Sequence, residues 1–511
     1  MIESSYILKP FIVLLKLFIK IISQSAILFT IMKAVQQLFA WVLESAIVKK
    51  LAAISTIDSQ WKMSKFHKFF IYLLDLPNKC ILWIADNGTK SFSQSYIISL
   101  VIKLYKFMAC HMHILLGLFI FVMTVIPFTY WNNFYAFGCI LFLFVISISK
   151  KRPSLGTNVY LIFFMIMTTL AFVFSINLVL SLRFFIFYVN CFLLLYIVIT
   201  ELNTYAKFNV FIHITLFGIF LTGIYGIYQN FIGIPVLASQ VDVSIDSNLV
   251  GRVYSTIGNA NNYAELLVMF LPFFVATFLN SKKIVHKVFY TIIMIPCLIS
   301  LLLTYSRSSW IGLVVAVGMF IMLKKWRLIP VFGLIGLAIF PLLPITITRR
   351  IMTIFSGDSS TNMRFIIWKQ TVPLIKDYWV TGIGLGPDVF IEMMKNYQTI
   401  RKAVHAHNIF LQILVETGIL GLVSFLALKV HLFKQTVTVV LNKKIDMAYK
   451  NHIIAAISSI FGLLVVALVE YIWHEHRIML IYWLMVGLLI ASLRNANEAF
   501  RSSSSPIKTL S

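Results

Sequence analysis

Apolar runs close to twenty residues long recur from residue 113 to residue 494, joined by short polar connections, and they leave this chain few ways to fold. A helix needs about 20 apolar residues to cross the hydrocarbon of a bilayer. Of the 511 residues, 60% are hydrophobic and only 12% charged. A soluble domain is roughly 45–50% apolar and 25% charged. With a mean hydropathy of +0.91, no soluble core could hide the surplus. Backbone polar groups in lipid must be satisfied within their own segment, so runs of this length mean helices. The expected fold is all-α: a polytopic integral membrane protein with about 12 transmembrane helices.

The runs lie near 113–130, 132–149, 157–175, 183–200, 208–231, 262–280, 284–304, 308–324, 327–347, 408–430, 453–472 and 477–494. Five stretches follow. Residues 1–112, apolar but studded with lysines such as Lys9, Lys16 and Lys20, read as a membrane-associated cytoplasmic extension. Residues 113–347 hold transmembrane helices 1–9, and 348–407 form a long extracytoplasmic loop with short helices. Residues 408–494 hold helices 10–12, and 495–511 form a cytoplasmic tail. No cleavable leader is expected at the N-terminus. Trp131, Tyr160, Trp310, Trp326 and Trp473 stand near run ends, where aromatic rings anchor at the interface.

Charge orients the array. The net charge is +25, from 43 Lys+Arg against 18 Asp+Glu. Lys150-Lys151-Arg152, Lys207, Lys282-Lys283, Lys324-Lys325-Arg327 and Lys429 to Lys450 fall in alternate connections, together with the C-terminal tail. Basic loops stay on the cytoplasmic side, so both termini are expected there. The opposite side then receives the 348–407 loop, which is nevertheless basic: Arg349, Arg350, Arg364, Lys369, Lys376, Lys395, Arg401 and Lys402. Topology opposes that excess, whereas an anionic ligand accounts for it.

The polar clusters face that same side. Ser306-Arg307-Ser308-Ser309-Trp310 joins two runs, and its arginine either binds an anion at a helix start or snorkels to the interface. Arg364 and Trp368 lie four apart on a short helix after Ser359-Ser360-Thr361. The pair either grips a phosphate and a sugar face or rests on the membrane. Arg252 to Ala264 brings amides and an arginine to another run, with Glu265 just inside it and in need of a partner, for which Arg252 or Arg307 is the guess. Val404 to Gly421 runs from His405 and His407 into an apolar helix whose Asn408, Gln412 and Glu416 share a face. A charge at mid-membrane costs roughly 2.5–3.5 kcal/mol, so polar groups at such a helix usually serve function.

Other chemistries find little support. His405 and His407 lack a carboxylate or cysteine at metal-ligand spacing, and there is no Asp-x-Asp or HExxH, so no metal and no cofactor are expected. The five cysteines are scattered without a CxxC pair. No basic soluble domain points to nucleic acid. Gly382 to Pro387 lacks the strand of a phosphate loop and reads as a tight turn. His474, Glu475 and His476 read as a solvated turn.

Taken together, Arg252 to Ala264, YSRSSW at 305–310, Arg364 with Trp368, GIGLG at 382–386 and HAHNIFLQILVETGILG at 405–421 resemble the O-antigen ligase and O-antigen polymerase superfamily of bacterial envelope glycan transferases. The resemblance covers roughly residues 250–425. It implies a metal-independent glycosyltransferase in the cytoplasmic (inner) membrane, with its active site on the extracytoplasmic face. Its donor would be an undecaprenyl-diphosphate-linked glycan, and its acceptor a glycan, lipid or protein. Arg307 and Arg364, with Arg252, would bind the diphosphate and His407 would be catalytic. His405, Asn408, Gln412, Glu416 and Trp368 would support them. Membrane lipid is a further partner, and the extension at 1–112 could dock a chain-length regulator. The competing reading is a flippase for lipid-linked oligosaccharide, which should carry charges through its spans rather than on one face.

Overall fold

The computed structural model describes residues 96–148, 158–234, 251–342, 344–352, 359–397 and 403–504, with scattered positions between 61 and 79. Most of the expected N-terminal extension, the end of the tail, and Arg401 and Lys402 lie outside the described residues. The described chain is helical, without a strand. In order it forms α1 (Tyr96–Cys110), α2 (Met112–Val125), α3 (Asn133–Ile148), α4 (Val159–Val173), α5 (Leu178–Glu201), α6 (Tyr205–Ile232), α7 (Ala260–Asn280) and α8 (Ile284–Leu303). It continues with α9 (Arg307–Lys325), α10 (Ile329–Ile339), α11 (Ile345–Met352), α12 (Ser359–Tyr378), α13 (Pro387–Met394), α14 (Ile409–Leu441), α15 (Met447–Val466) and α16 (His476–Ser504).

Seven of these, α5–α8 and α14–α16, are long and apolar enough to cross a membrane. The pair α1–α2, bent by 77°, makes an eighth if it counts as one span. The expected count of about 12 is therefore not reached among the described residues. The runs at 132–149 and 157–175 form helices of 16 and 15 residues, only about 23 Å long at 1.5 Å per residue. The run at 327–347 is divided between α10, of 11 residues, and flanking 3-10 turns. Among the described residues of 348–407 most are helical, and α12 runs for 20 residues where short helices were expected. Lys429, placed by the sequence in a cytoplasmic loop, lies inside α14. It is buried there, with its ammonium 4.6, 4.8 and 5.2 Å from the ring centres of Phe425, Tyr482 and Trp483. Aromatic faces stabilise a desolvated cation, so the helix carries it through the core.

Local chemistry explains where the helices start. Asn158, Asn177, Thr204, Asn259, Asn408 and Asp446 each cap a helix, their side-chain oxygens accepting first-turn amides. Such caps satisfy donors that a helix start leaves open. Between the long helices, α15 packs on α9 and α7, α16 on α5, α14 on α4, and α6 on α2 and α8. The α9–α15 crossing is close because it has glycine on both sides. A Cβ on Gly312 would stand 2.8 Å from the Gly462 carbonyl oxygen, and one on Gly462 would stand 2.7 Å from that of Gly312.

Two apolar cores result. The large one belongs to the bundle of long helices and includes Trp473, Trp483 and Phe270. A small one, built on Ile367, Leu374, Ile383, Phe390, Met394, Ala406 and Val415, joins α12, α13, the 403–408 loop and the start of α14 into a cap.

The cap is locked to the bundle at a break in α14. Gly418 has φ 67° and ψ −175° inside the helix. The amides of Ile383 and Gly384 donate to the carbonyls of Val415 and Glu416 at 2.9 and 3.2 Å, and that of Ile419 to Trp379 at 2.8 Å. The glycines at 382–386, expected as a tight turn, are thus the wedge that fills the break. A Cβ on Gly418 would lie 2.1 Å from the Val380 carbonyl oxygen, and one on Gly382, at φ 71°, would lie 2.3 Å from that of Glu416. Only glycine tolerates both the left-handed backbone and that approach.

Candidate active site

Several segments converge where cap meets bundle: the start of α7, the α8–α9 turn, α11, the start of α12 and the segment after α15, with the His407 loop beside them. Between them lies a cavity of about 200 Å³ lined by Arg252, Arg307, Arg350 and Arg364, with Asn261, Tyr305, Ser306, Ser308, Thr361 and Glu470. All three arginines singled out from the sequence therefore line one space, and Arg350 joins them.

Each arginine is held differently. Arg252 donates from Nε to the Thr304 carbonyl at 2.8 Å and from Nη2 to Asn261 Oδ1 at 2.5 Å, which fixes it between α8 and α7. Burial first, then Arg350 and Arg307, push Arg252 down to about 10 against the pull of Glu470. It stays charged at neutral pH. Arg307 is the first residue of α9, with Ser306 at the cap position and its hydroxyl turned to Ser309 at 3.1 Å. Trp310 donates back to the Leu301 carbonyl at 3.1 Å, tying the turn down. The helix start beside Arg307 adds backbone amides and the positive end of a dipole to the cavity wall. Arg364 reaches from α12 to Glu470 Oε1 at 2.5 Å.

Glu470 is the hub, and the sequence reading passed over it. Besides Arg364, Glu470 Oε1 accepts from Asn261 Nδ2 at 3.3 Å, and His407 Nδ1 lies 3.6 Å from Oε2. Burial alone would raise this carboxyl. The His407 and Arg364 contacts outweigh it and hold the pKa below the ordinary 4.5. The signal that could have found it is an ionisable residue at the end of an apolar run. That reasoning singled out Glu265 instead, which is buried in α7; neither Arg252 nor Arg307, its guessed partners, makes a hydrogen bond to Glu265 Oε2.

His407 takes a left-handed backbone, φ 45°, uncommon for a side chain with a Cβ. Its neighbours impose it. Gln412 Oε1 accepts the Ala406 amide at 2.9 Å, and the Ala406 carbonyl accepts the Trp368 indole N–H at 2.9 Å. His405 Nδ1 accepts the His407 amide at 3.2 Å. Asn408 caps α14 and donates to the Leu468 carbonyl at 2.8 Å, and the Ile409 amide donates to that of Ala467 at 2.9 Å. His407, like His405, Asn408, Gln412, Glu416 and Trp368, is outside the cavity lining; it reaches the cavity through Glu470, and the other five hold its loop. Burial, reinforced by His407 and His474, lowers His405 to about 2, so it is a neutral acceptor rather than a proton carrier.

Arg477 also escaped the sequence reading. Its side chain is fully buried at the start of α16 and donates to the carbonyls of Ile126, Thr256 and Ile257 at 3.1–3.4 Å. It pins the loop that carries Arg252. The neighbouring His476 is buried and stacked on Phe187 at 4.0 Å, so the 474–476 turn is only partly solvated. Among the described residues, no group of three or more His, Cys, Asp or Glu side chains is arranged to hold a metal ion.

Residues 290–426 match the family model described as O-antigen ligase. This region is similar to the O-antigen ligase family. It supports the chain's place in the O-antigen ligase and polymerase superfamily, with the role of a membrane glycan ligase or polymerase. Comparison with curated proteins gave no match. The matched region contains Arg307, Arg350, Arg364 and His407, while Arg252, Asn261 and Glu470 come from segments before and after it. The cavity is therefore completed by parts of the chain outside the matched region.

Proposed function

We propose that this protein is a glycosyltransferase of the bacterial cytoplasmic membrane that takes a glycan from an undecaprenyl-diphosphate carrier at the extracytoplasmic face and passes it to an acceptor hydroxyl. The observation that carries this reading is the single cavity lined by four arginines and bridged to His407 by Glu470.

A glycosyl diphosphate already contains a good leaving group, and transfer needs its growing negative charge to be neutralised. Arg252, Arg307 and Arg364 supply charge-assisted hydrogen bonds, each about 1.5–3 kcal/mol. Fixed donors aimed at developing charge do most of the work in such reactions. The acceptor oxygen attacks the anomeric carbon as the bond to the diphosphate oxygen breaks, and its proton passes to His407. With Nδ1 turned to Glu470, Nε2 is the basic nitrogen, and the carboxylate stabilises the imidazolium that forms. The electron pair of the broken bond leaves on the diphosphate, and one direct displacement inverts the anomeric centre.

The test is reconstitution of the full chain in liposomes with undecaprenyl-diphosphate-linked glycan, beside His407→Ala and Arg307→Ala variants. A ladder of longer lipid-linked chains identifies a polymerase. Transfer only after a lipid or protein acceptor is added identifies a ligase. Unchanged transfer by both variants at normal expression would refute the proposed site.

A further inference from the structure

We infer that Gln412, Glu416 and Tyr471 form a positioning relay that holds His407 in its reactive attitude. The inference rests on the proposed role of His407 as proton acceptor and deepens it.

Gln412 is fully buried, and so is Glu416 one turn further along α14. Gln412 Oε1 accepts the Ala406 amide at 2.9 Å. Its Nε2 donates to Glu416 Oε1 at 2.9 Å, and the Tyr471 hydroxyl donates to the same oxygen at 3.3 Å. One amide side chain thus faces the backbone just before His407 and, at its other end, a carboxyl that never meets the cavity. Burying an amide and a carboxyl is costly unless they are paired. Gln412 is paired at both ends and Glu416 accepts twice at Oε1, although the buried Glu416 Oε2 has no hydrogen-bond partner among the described residues.

The direction of the relay follows from hydrogen-bond chemistry. Glu416 Oε1 only accepts here, so it orients the Gln412 amide with nitrogen toward itself and oxygen toward Ala406. A reversed amide would set an N–H against an N–H at the loop and an oxygen against an oxygen at Glu416. The acceptor end therefore always meets Ala406, and the next residue is driven to φ 45°. Strain of this kind persists only where the surroundings over-determine it. Tyr471 ties the same relay to Glu470, its chain neighbour and the carboxylate beside His407 Nδ1. The imidazole and its carboxylate thus share one anchor.

The experiment uses the full chain in liposomes with the lipid-linked donor and compares Gln412→Leu, Gln412→Glu, Glu416→Gln and the exchanged pair carrying the last two together. His407→Ala is the reference, and farnesyl diphosphate binding is the probe of the arginine cavity. Gln412→Leu should lose kcat by about 100-fold, the scale of a small misplacement of a reacting group, with KM and farnesyl diphosphate affinity within about twofold of wild type. Gln412→Glu sets two carboxyls face to face and should lose a similar factor. The exchanged pair restores one acceptor toward Ala406 and one donor between the side chains, and should recover most of kcat. Wild-type kcat in Gln412→Leu while His407→Ala is inactive would overturn the relay and leave the transfer reading intact. Farnesyl diphosphate affinity lost in step with kcat, or an exchanged pair no better than Gln412→Glu, would also overturn it. Full activity in His407→Ala would instead remove the transfer mechanism and the relay with it.

Discussion

The bundle and the cap contribute to the same cavity by opposite means. Bundle residues Arg307 and Asn261 stand in the first turns of long helices, and Arg252 and Glu470 in the segments that join them, where Ser255 and Tyr305 are also left-handed. The cap supplies Arg364 from α12 to the cavity wall and sets His407 behind it, beside Glu470, on a loop with a left-handed residue, backed by glycines forced into positive φ at 382, 384, 386 and 418. A binding surface for a charged group needs only donors in roughly the right place, and helix starts supply such donors from their own backbone amides. A group that moves a proton needs one orientation, and here that orientation is held by tertiary hydrogen bonds that no local preference would supply. The seam between the two small-scale designs is the Arg364–Glu470–His407 contact.

If this division is right, the two halves fail differently. The largest effect should come from His407→Ala, a fall in kcat of about 10²–10⁴-fold with diphosphate affinity retained, read by transfer assays and by binding. Arg307→Ala, in the bundle, should weaken donor use by about 10–100-fold, with KM carrying much of the change. Both variants altering the same kinetic constant in the same proportion would erase the distinction. Gly418→Ala should destabilise the cap by at least about 1–3 kcal/mol, seen as a lower melting temperature and easier proteolysis of the cap. A neutral result would mean that the break can be repacked.

Acid sharpens the contrast further. His405 titrates near 6.5 when unfolded and near 2 when folded, so the unfolded state binds the extra proton and stability falls as pH drops below 6.5. Glu470 is held below 4.5 in the fold, so its contribution is present above 4.5 and is lost only as pH falls through its lower folded value. Melting temperature followed from pH 7 to pH 4 should decline first from the histidines that desolvation lowers, His405 and His474 among them, and His405→Gln should make that first decline shallower. The smallest effect should be Trp368→Phe, which keeps the ring but removes the bond to Ala406, at about 0.5–1.5 kcal/mol.

The sequence carried the bundle half well. The apolar runs that became α5–α8 and α14–α16 have the length and composition of spans, whereas Asn408, read as part of a helix face with Gln412 and Glu416, is instead the cap of α14. Arg364 stood out in a basic segment that opposed the sidedness rule, Arg307 in a serine-rich turn at a helix start and Arg252 beside a run of amides, and the three meet in one cavity. Glu470 was hidden because it closes an apolar run just before the more conspicuous histidines at 474 and 476. The wedge of Gly382–Gly386 in the break at Gly418 pairs residues more than thirty positions apart, and such pairing leaves no periodic trace. Trp368 was legible as a helix-face partner of Arg364, but its bond to Ala406 depends on how the cap folds back.

The break at Gly418 also bears on membrane thickness. An unbroken α14 of 33 residues would measure about 50 Å, well beyond the roughly 30 Å of hydrocarbon. Beyond Gly418 the helix has about 35 Å left, which a small tilt fits to a bilayer. The first nine residues, Ile409 to Thr417, then form a rigid stub whose far end carries His407. Hydrophobic matching of the lower part consequently sets the height at which the histidine stands, and bilayers of different acyl length should raise or lower it relative to the phosphates of the leaflet.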